Sequence, residues 1–225
     1  MELGEDLFEG KLKKDTTTEI ADEFGRPGYT WTYEMDPVVF AAKEPVAVFN
    51  GKTSAADVAK ALSGYKINGL TINNGADQTN PSTGDILVVN GGATKKAFGG
   101  DATETVAKML ADETANGMTL EFYEGTTDGE IGTIVQIKYS VGTVSSVSTN
   151  SSGTTYTVGG ESGIVYDEDE DKDDTAVLAG SVDEDDVVTY VVAKNNNSDT
   201  SDNVLYIYPT TSFVGTQSAK DSKTI

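Results

Sequence analysis

The sequence predicts a mainly β protein: a mixed α+β N-terminal module with two short helices over residues 1–137, then an all-β sandwich or small barrel over residues 138–225. Three observations predict it. Two helix start-and-stop patterns stand in the first part. From about residue 138 the helical signal disappears, and strand-sized pieces such as TTYTVGG, SGIVYD, TAVLAGS, DVVTYVVAK and NVLYIYP alternate with Asn, Asp, Gly and Ser clusters. Between the two parts lies Ile131–Val147, IGTIVQIKYSVGTVSSV, rich in β-branched residues and free of Pro. It reads as one long buried strand, with Ile134, Gln136, Lys138 and Ser140 on one side and Val135, Ile137, Tyr139 and Val141 on the other.

Taken in order, residues 1–23 are polar and charged, anchored only by Leu3, Leu7, Phe8 and Leu12. In FGRPGYTWTYEMDP, Gly25, Pro27 and Gly28 set a turn, and Tyr29, Trp31 and Tyr33 alternate with threonines as a period-two strand. EPVAVFN is a second strand. Ser54 caps a helix with Asp57 at the box position, Val58, Ala61 and Leu62 inward, and Gly64 as its stop. Asp101, with Glu104, is the expected cap of the other helix, whose inward residues are Val106, Met109 and Leu110 and whose end is Asn116-Gly117. KINGLTIN, GDILVVNGG and MTLEFYEG are the remaining strands of the first module.

The chain carries 37 acidic against 16 basic residues, a net charge of −21. That field repels nucleic acid and anionic membranes and favours cations. With no Cys there is no disulfide framework, and with no His the usual general base and zinc ligand are missing. No apolar run reaches the roughly 18 residues of a membrane span. MELGEDLFEG lacks the basic and apolar regions of a signal peptide, so an exported protein would be represented here by a mature piece or an excised fragment.

The segment FGRPGYTWTY, at Phe24–Tyr33, follows Leu3-Gly4-Glu5 and Lys11-Leu12. It resembles a segment of modular surface proteins of Gram-positive bacteria that carry S-layer homology repeats. DEDDVVTYVV and YIYPTTSFVGTQSAK, within Asp183–Lys220, resemble the β-modules of such proteins. The resemblance implies an extracellular, non-enzymatic wall or lattice module. No S-layer homology repeat is visible in the chain, so wall anchoring falls on none of its residues, and contact with cell-wall polymers would belong to domains outside it.

Four sites are weighed. VFNGKTSAADVAKAL mimics the end of a phosphate-binding loop, but the glycine required five residues before Gly51 is Val46, so a turn before a capped helix is expected. Tyr29, Trp31 and Tyr33 share a strand face, which serves either as the core side of a sheet or as a platform for stacking sugars. The acidic run offers Asp167, Asp169, Asp171, Asp173 and Asp174 as Ca²⁺ ligands, although EF-hand spacing fails at Lys172 and Leu178. Glu121 is the one acid with apolar neighbours, yet alternation with Leu120 and Phe122 predicts that it is exposed. The expected function is a non-catalytic surface module that self-associates or spaces a lattice as a homo-oligomer, assisted by Ca²⁺. The alternatives are an adhesin or carbohydrate binder using the aromatic face, and a high-salt habitat as the source of the acidity.

Overall fold

The computed structural model describes residues 12–14, 20–33, 36–67, 69–72, 87–94, 105–167, 172–194 and 203–209. They are mostly strand, with two short helices, and no sheet closes into a barrel. The chain divides into two compact units, Met1–Ser140 with Val191–Leu205, and Val141–Tyr190 with Tyr206–Ile225.

In the first unit, β1 (Leu12–Lys14), β2 (Ile20–Ala21), β3 (Pro27–Tyr33) and β4 (Asp36–Ala42) form one antiparallel sheet. The aromatic strand β3 is its centre, with β1 and β2 along one edge and β4 along the other. The register of β4 slips between Trp31↔Val39 and Thr32↔Pro37. Pro27 tolerates its place because it is the first residue of its strand, where proline is admitted.

The chain continues through β5 (Ala47–Asn50), α1 (Ala55–Ala61), β6 (Lys66–Ile67), β7 (Leu70–Thr71), β8 (Leu87–Val89), β9 (Gly92–Thr94), α2 (Val106–Asp112), β10 (Met118–Glu124) and β11 (Ile131–Lys138). A five-stranded sheet runs β5-β10-β11-β8-β9, parallel only between β11 and β8. Ser54 caps α1 as expected, accepting the Asp57 amide and donating to the Asp57 carboxylate. The second helix starts at Val106 with Thr105 as its cap rather than Asp101; Asp101 and Glu104 lie outside the described residues. KINGLTIN is a small hairpin, β6 with β7, instead of one strand. NGG turns β8 into β9 because Asn90 and Gly91 both take positive φ, as a tight two-residue hairpin requires.

Both helices pack on one face of this sheet. Val58, Leu62, Val106, Leu110, Leu120, Phe122 and Ile134 are fully or almost fully buried in this core. Phe49 meets Phe122 edge-on at 5.7 Å between centroids. Gln136, buried on the same face, donates to the Glu113 carbonyl at the end of α2, 2.6 Å away.

The stretch Ile131–Val147 is two strands, not one. Tyr139 N–H still donates across to Gly117 at 2.8 Å, one rung past the end of β11, and β12 (Ser140–Asn150) then begins in another sheet. With β13 (Gly153–Val158), β14 (Glu161–Tyr166), β15 (Ala176–Leu178), β16 (Val187–Ala193) and β17 (Val204–Pro209) it forms a six-stranded sheet in the order β14-β13-β12-β16-β17-β15. Thr175 exchanges bonds with Ile164 on the β14 edge, while Ala179 donates to Ile207 of β17. The segment through β15 thus covers one edge and pairs at the other, which blunts exposed strand edges.

Candidate functional site

The segment Phe24–Tyr33 is a hairpin loop running into β3. Asp22 organises it: its Oδ1 accepts the amides of Phe24 (3.0 Å) and Arg26 (2.8 Å), and its carbonyl accepts Gly25 N–H (2.9 Å). This is a side-chain-stabilised turn closed by a left-handed glycine, Gly25 at φ +84°. A Cβ on Gly25 would stand 2.5 Å from Val88 Cγ1, so the loop backbone lies directly on the five-stranded sheet. Phe24 is buried beside it.

Cross-strand register explains where the loop lands. Val48, Glu121, Val135 and Val88 line up across β5, β10, β11 and β8 on the face opposite the helices. Gly25 meets Val88 at one end of this row, and Arg26 meets Glu121 farther along it. Arg26 Nε donates to Glu121 Oε2 at 2.7 Å and Nη2 to Oε1 at 3.0 Å, a two-pronged pair. Tyr123 donates its hydroxyl to the same Oε2 at 2.7 Å. Arg26 also lies 5.1 Å from the Phe24 ring centroid and 3.5 Å from Asp22 Oδ2.

Glu121 is therefore only 8 % exposed, against the alternation argument that placed it in solvent. That argument treats one sheet face as wet, whereas here the hairpin covers the second face. No local pattern reveals the pairing, because Arg26 and Glu121 are 95 residues apart in sequence.

Burial pushes the Glu121 carboxyl up, but the hydrogen bonds from Arg26 and Tyr123 and the Arg26 charge outweigh it and hold the group below its ordinary 4.5. Asp22 goes the other way: burial outweighs the Arg26 and Phe24 amides and the Arg26 charge. The difference follows from geometry, since Glu121 receives two short bonds from the guanidinium and Asp22 only a 3.5 Å approach. Burial and the Glu121 carboxylate raise Tyr123 above the usual phenol range, so it remains a donor. Burial opposes the charge on Arg26, but Glu121 more than offsets it. Arg26, Glu121 and Tyr123 are joined by these bonds, so the cluster ties the hairpin to the five-stranded sheet.

A separate open cleft of about 410 Å³ is lined by Tyr29, Ala42, Lys43, Glu44, Val46, Glu124 and Gly125. Lys43 Nζ lies over the Tyr29 ring, 5.4 Å from its centroid. Of the proposed aromatic platform, Tyr29 reaches this cleft half-buried, while the side chains of Trp31 and Tyr33 lie outside the described residues.

The remaining candidates are placed as follows. Gly51-Lys52-Thr53 is a turn in which Gly51 N–H donates to Met118 and Thr53 N–H to Thr114 Oγ1. In the acidic run, Asp167, Asp173 and Asp174 are exposed, and Asp174 Oδ1 accepts the Tyr166 amide at 2.7 Å. Asp169 and Asp171 lie outside the described residues, among which no group of three acids is gathered closely enough to hold a metal ion. No described helix is long and apolar enough to cross a membrane. No family description, curated protein or solved structure matches this chain.

Proposed function

We propose that this chain is a non-catalytic extracellular module of a cell-surface, S-layer-type assembly, acting in self-association or spacing. One observation carries the reading. The segment that resembles surface-layer proteins is spent on scaffolding: Phe24 is buried, Gly25 lies against Val88, Arg26 clamps Glu121 and Pro27 opens β3. Residues committed in this way serve rigidity rather than turnover. The cross-strand hydroxyl pairs of the six-stranded sheet, Thr149 with Thr154 and Thr157 with Ser162, are exposed on opposite faces of β13, so both sides of the sheet carry polar groups there. At a net charge of −21, copies repel one another until divalent cations screen or bridge them, and Ca²⁺ suits crowded carboxylates.

The test is light scattering of the purified chain in millimolar Ca²⁺ and then in excess chelator. The expected result is large assemblies that loosen on chelation. Assemblies indifferent to chelator would remove the Ca²⁺ role, and a monomer in both conditions would remove self-association.

A further inference from the structure

The open cleft beside β3 is built to attract a cation, and we propose that it binds an alkylammonium group, which takes the place of Lys43 on the Tyr29 ring. This inference does not depend on the assembly reading. At about 410 Å³ the cleft falls within the range of small-ligand sites, roughly 300–1,000 Å³. Its shape comes from the backbone. Lys43 N–H donates to the Pro27 carbonyl at 2.8 Å, which fixes the end of β4 beside β3. At the other wall Gly125 faces Gly132, where an added Cβ would meet the neighbouring Cα at 3.1 Å, so this wall is backbone.

The lining then selects the ligand. The Tyr29 ring offers its electron-rich face, and that face already holds a cation, the Lys43 ammonium. Glu44 and Glu124 are among the residues that line the same cleft, two acidic residues beside one basic one. Glu124 is held in place by the Gly129 N–H. An anionic ligand would meet acidic surroundings and the field of a chain at −21. A neutral sugar would need the ring face that Lys43 covers without offering a charge in exchange. An incoming ammonium replaces like with like, and Glu44 at the cleft offers the opposite charge.

The prediction that separates this from other uses of the cleft concerns Lys43. If Lys43 were a donor for an anion or a sugar, removing it would weaken binding; as an internal competitor, its removal strengthens binding. The experiment titrates the full chain with n-butylammonium and with Nα-acetyl-lysine amide at constant ionic strength, followed by NMR shifts. Glucose and the Nε-acetylated lysine derivative are the uncharged controls. Lys43→Met should tighten both amines about two- to fivefold, the range of an exposed cation–ring contact. Tyr29→Phe should leave affinity unchanged, and Tyr29→Leu should weaken it by a similar factor. Glu44→Gln should weaken binding up to about fivefold, whereas Glu161→Gln, an equal charge change at an exposed site in β14, should not. A preference for the lysine derivative would point to a peptide side chain as the natural ligand, and equal binding to a free amine. Weaker binding in Lys43→Met, equal losses in the two glutamine variants, or glucose binding as strong as the amines would each overturn the proposal. Should Tyr29→Leu fail to fold, the Lys43 and Glu44 variants still decide it.

Discussion

The five-stranded and six-stranded sheets solve the same problem with different materials. The five-stranded sheet is covered twice, by α1 and α2 on one face and by the Phe24–Arg26 hairpin on the other. Its inner strand β10 accordingly buries four consecutive residues, Leu120, Glu121, Phe122 and Tyr123. In the six-stranded sheet the buried residues are smaller: Val144, Val158, Ala176, Val188, Val191, Ala193, Leu205 and Ile207. There the strands β12 and β13 carry hydroxyl pairs, and Gly159-Gly160 closes β13 to β14 with two positive-φ glycines. Large side chains in a doubly covered sheet make stability depend on single residues. A sheet of valines, threonines and tight turns spreads the same dependence over many small cross-strand terms.

That contrast can be broken most visibly at Phe122. Phe122→Ala should cost about 3–5 kcal/mol in urea unfolding, whereas Val158→Ala, equally buried in the six-stranded sheet, should cost about 2 kcal/mol. Equal losses would mean the two sheets are not stabilised differently.

Next in size is the clamp. Glu121→Ala leaves Arg26 without its partner against the sheet and should cost about 3 kcal/mol. The same residue sharpens the comparison through pH. Because the folded Glu121 carboxyl lies below its ordinary 4.5, the stability it contributes is present above that value and is lost as pH falls through the lowered one. Asp22, raised from 3.8, has the opposite sign: its contribution is fully present in acid and lost as pH rises through its raised value. Subtracting the Glu121→Gln curve from that of the parent isolates the Glu121 share below pH 4.5, free of the general relief of a −21 charge. A flat difference would deny the clamp.

Gly25→Ala should cost about 2 kcal/mol, because an L-residue at φ +84° is strained and its Cβ would press on Val88. The smallest effect belongs to the six-stranded sheet: Thr157→Val, which removes the hydroxyl contact to Ser162, should change stability by no more than about 1 kcal/mol. A larger loss there would make individual hydroxyl pairs as decisive as the core residues of the other sheet. Thermal or urea unfolding of each variant measures both.

How much of this was legible beforehand varies with distance along the chain. Local signals read correctly wherever a few neighbouring residues suffice: Ser54 and Asp57 as a cap, Tyr29 to Tyr33 as a strand, MTLEFYEG as another. Ile131–Val147 misled because alternation persists through Tyr139, while the backbone changes sheets there. Periodicity reports which way side chains point, and is silent on which strand supplies the hydrogen bonds.

The sequence by itself determined the chemistry of the surface and the local elements: the charge of −21, the absence of Cys and His, the capped helix and the short strands. Only the tertiary structure decided that Glu121 is buried, that FGRP is a joint, and that Tyr29 shares a cleft with Lys43, Glu44 and Glu124. The physical reason is the same in each case. Burial and pairing depend on what covers a face, and the covering residues lie far away in sequence, where no local period can point to them.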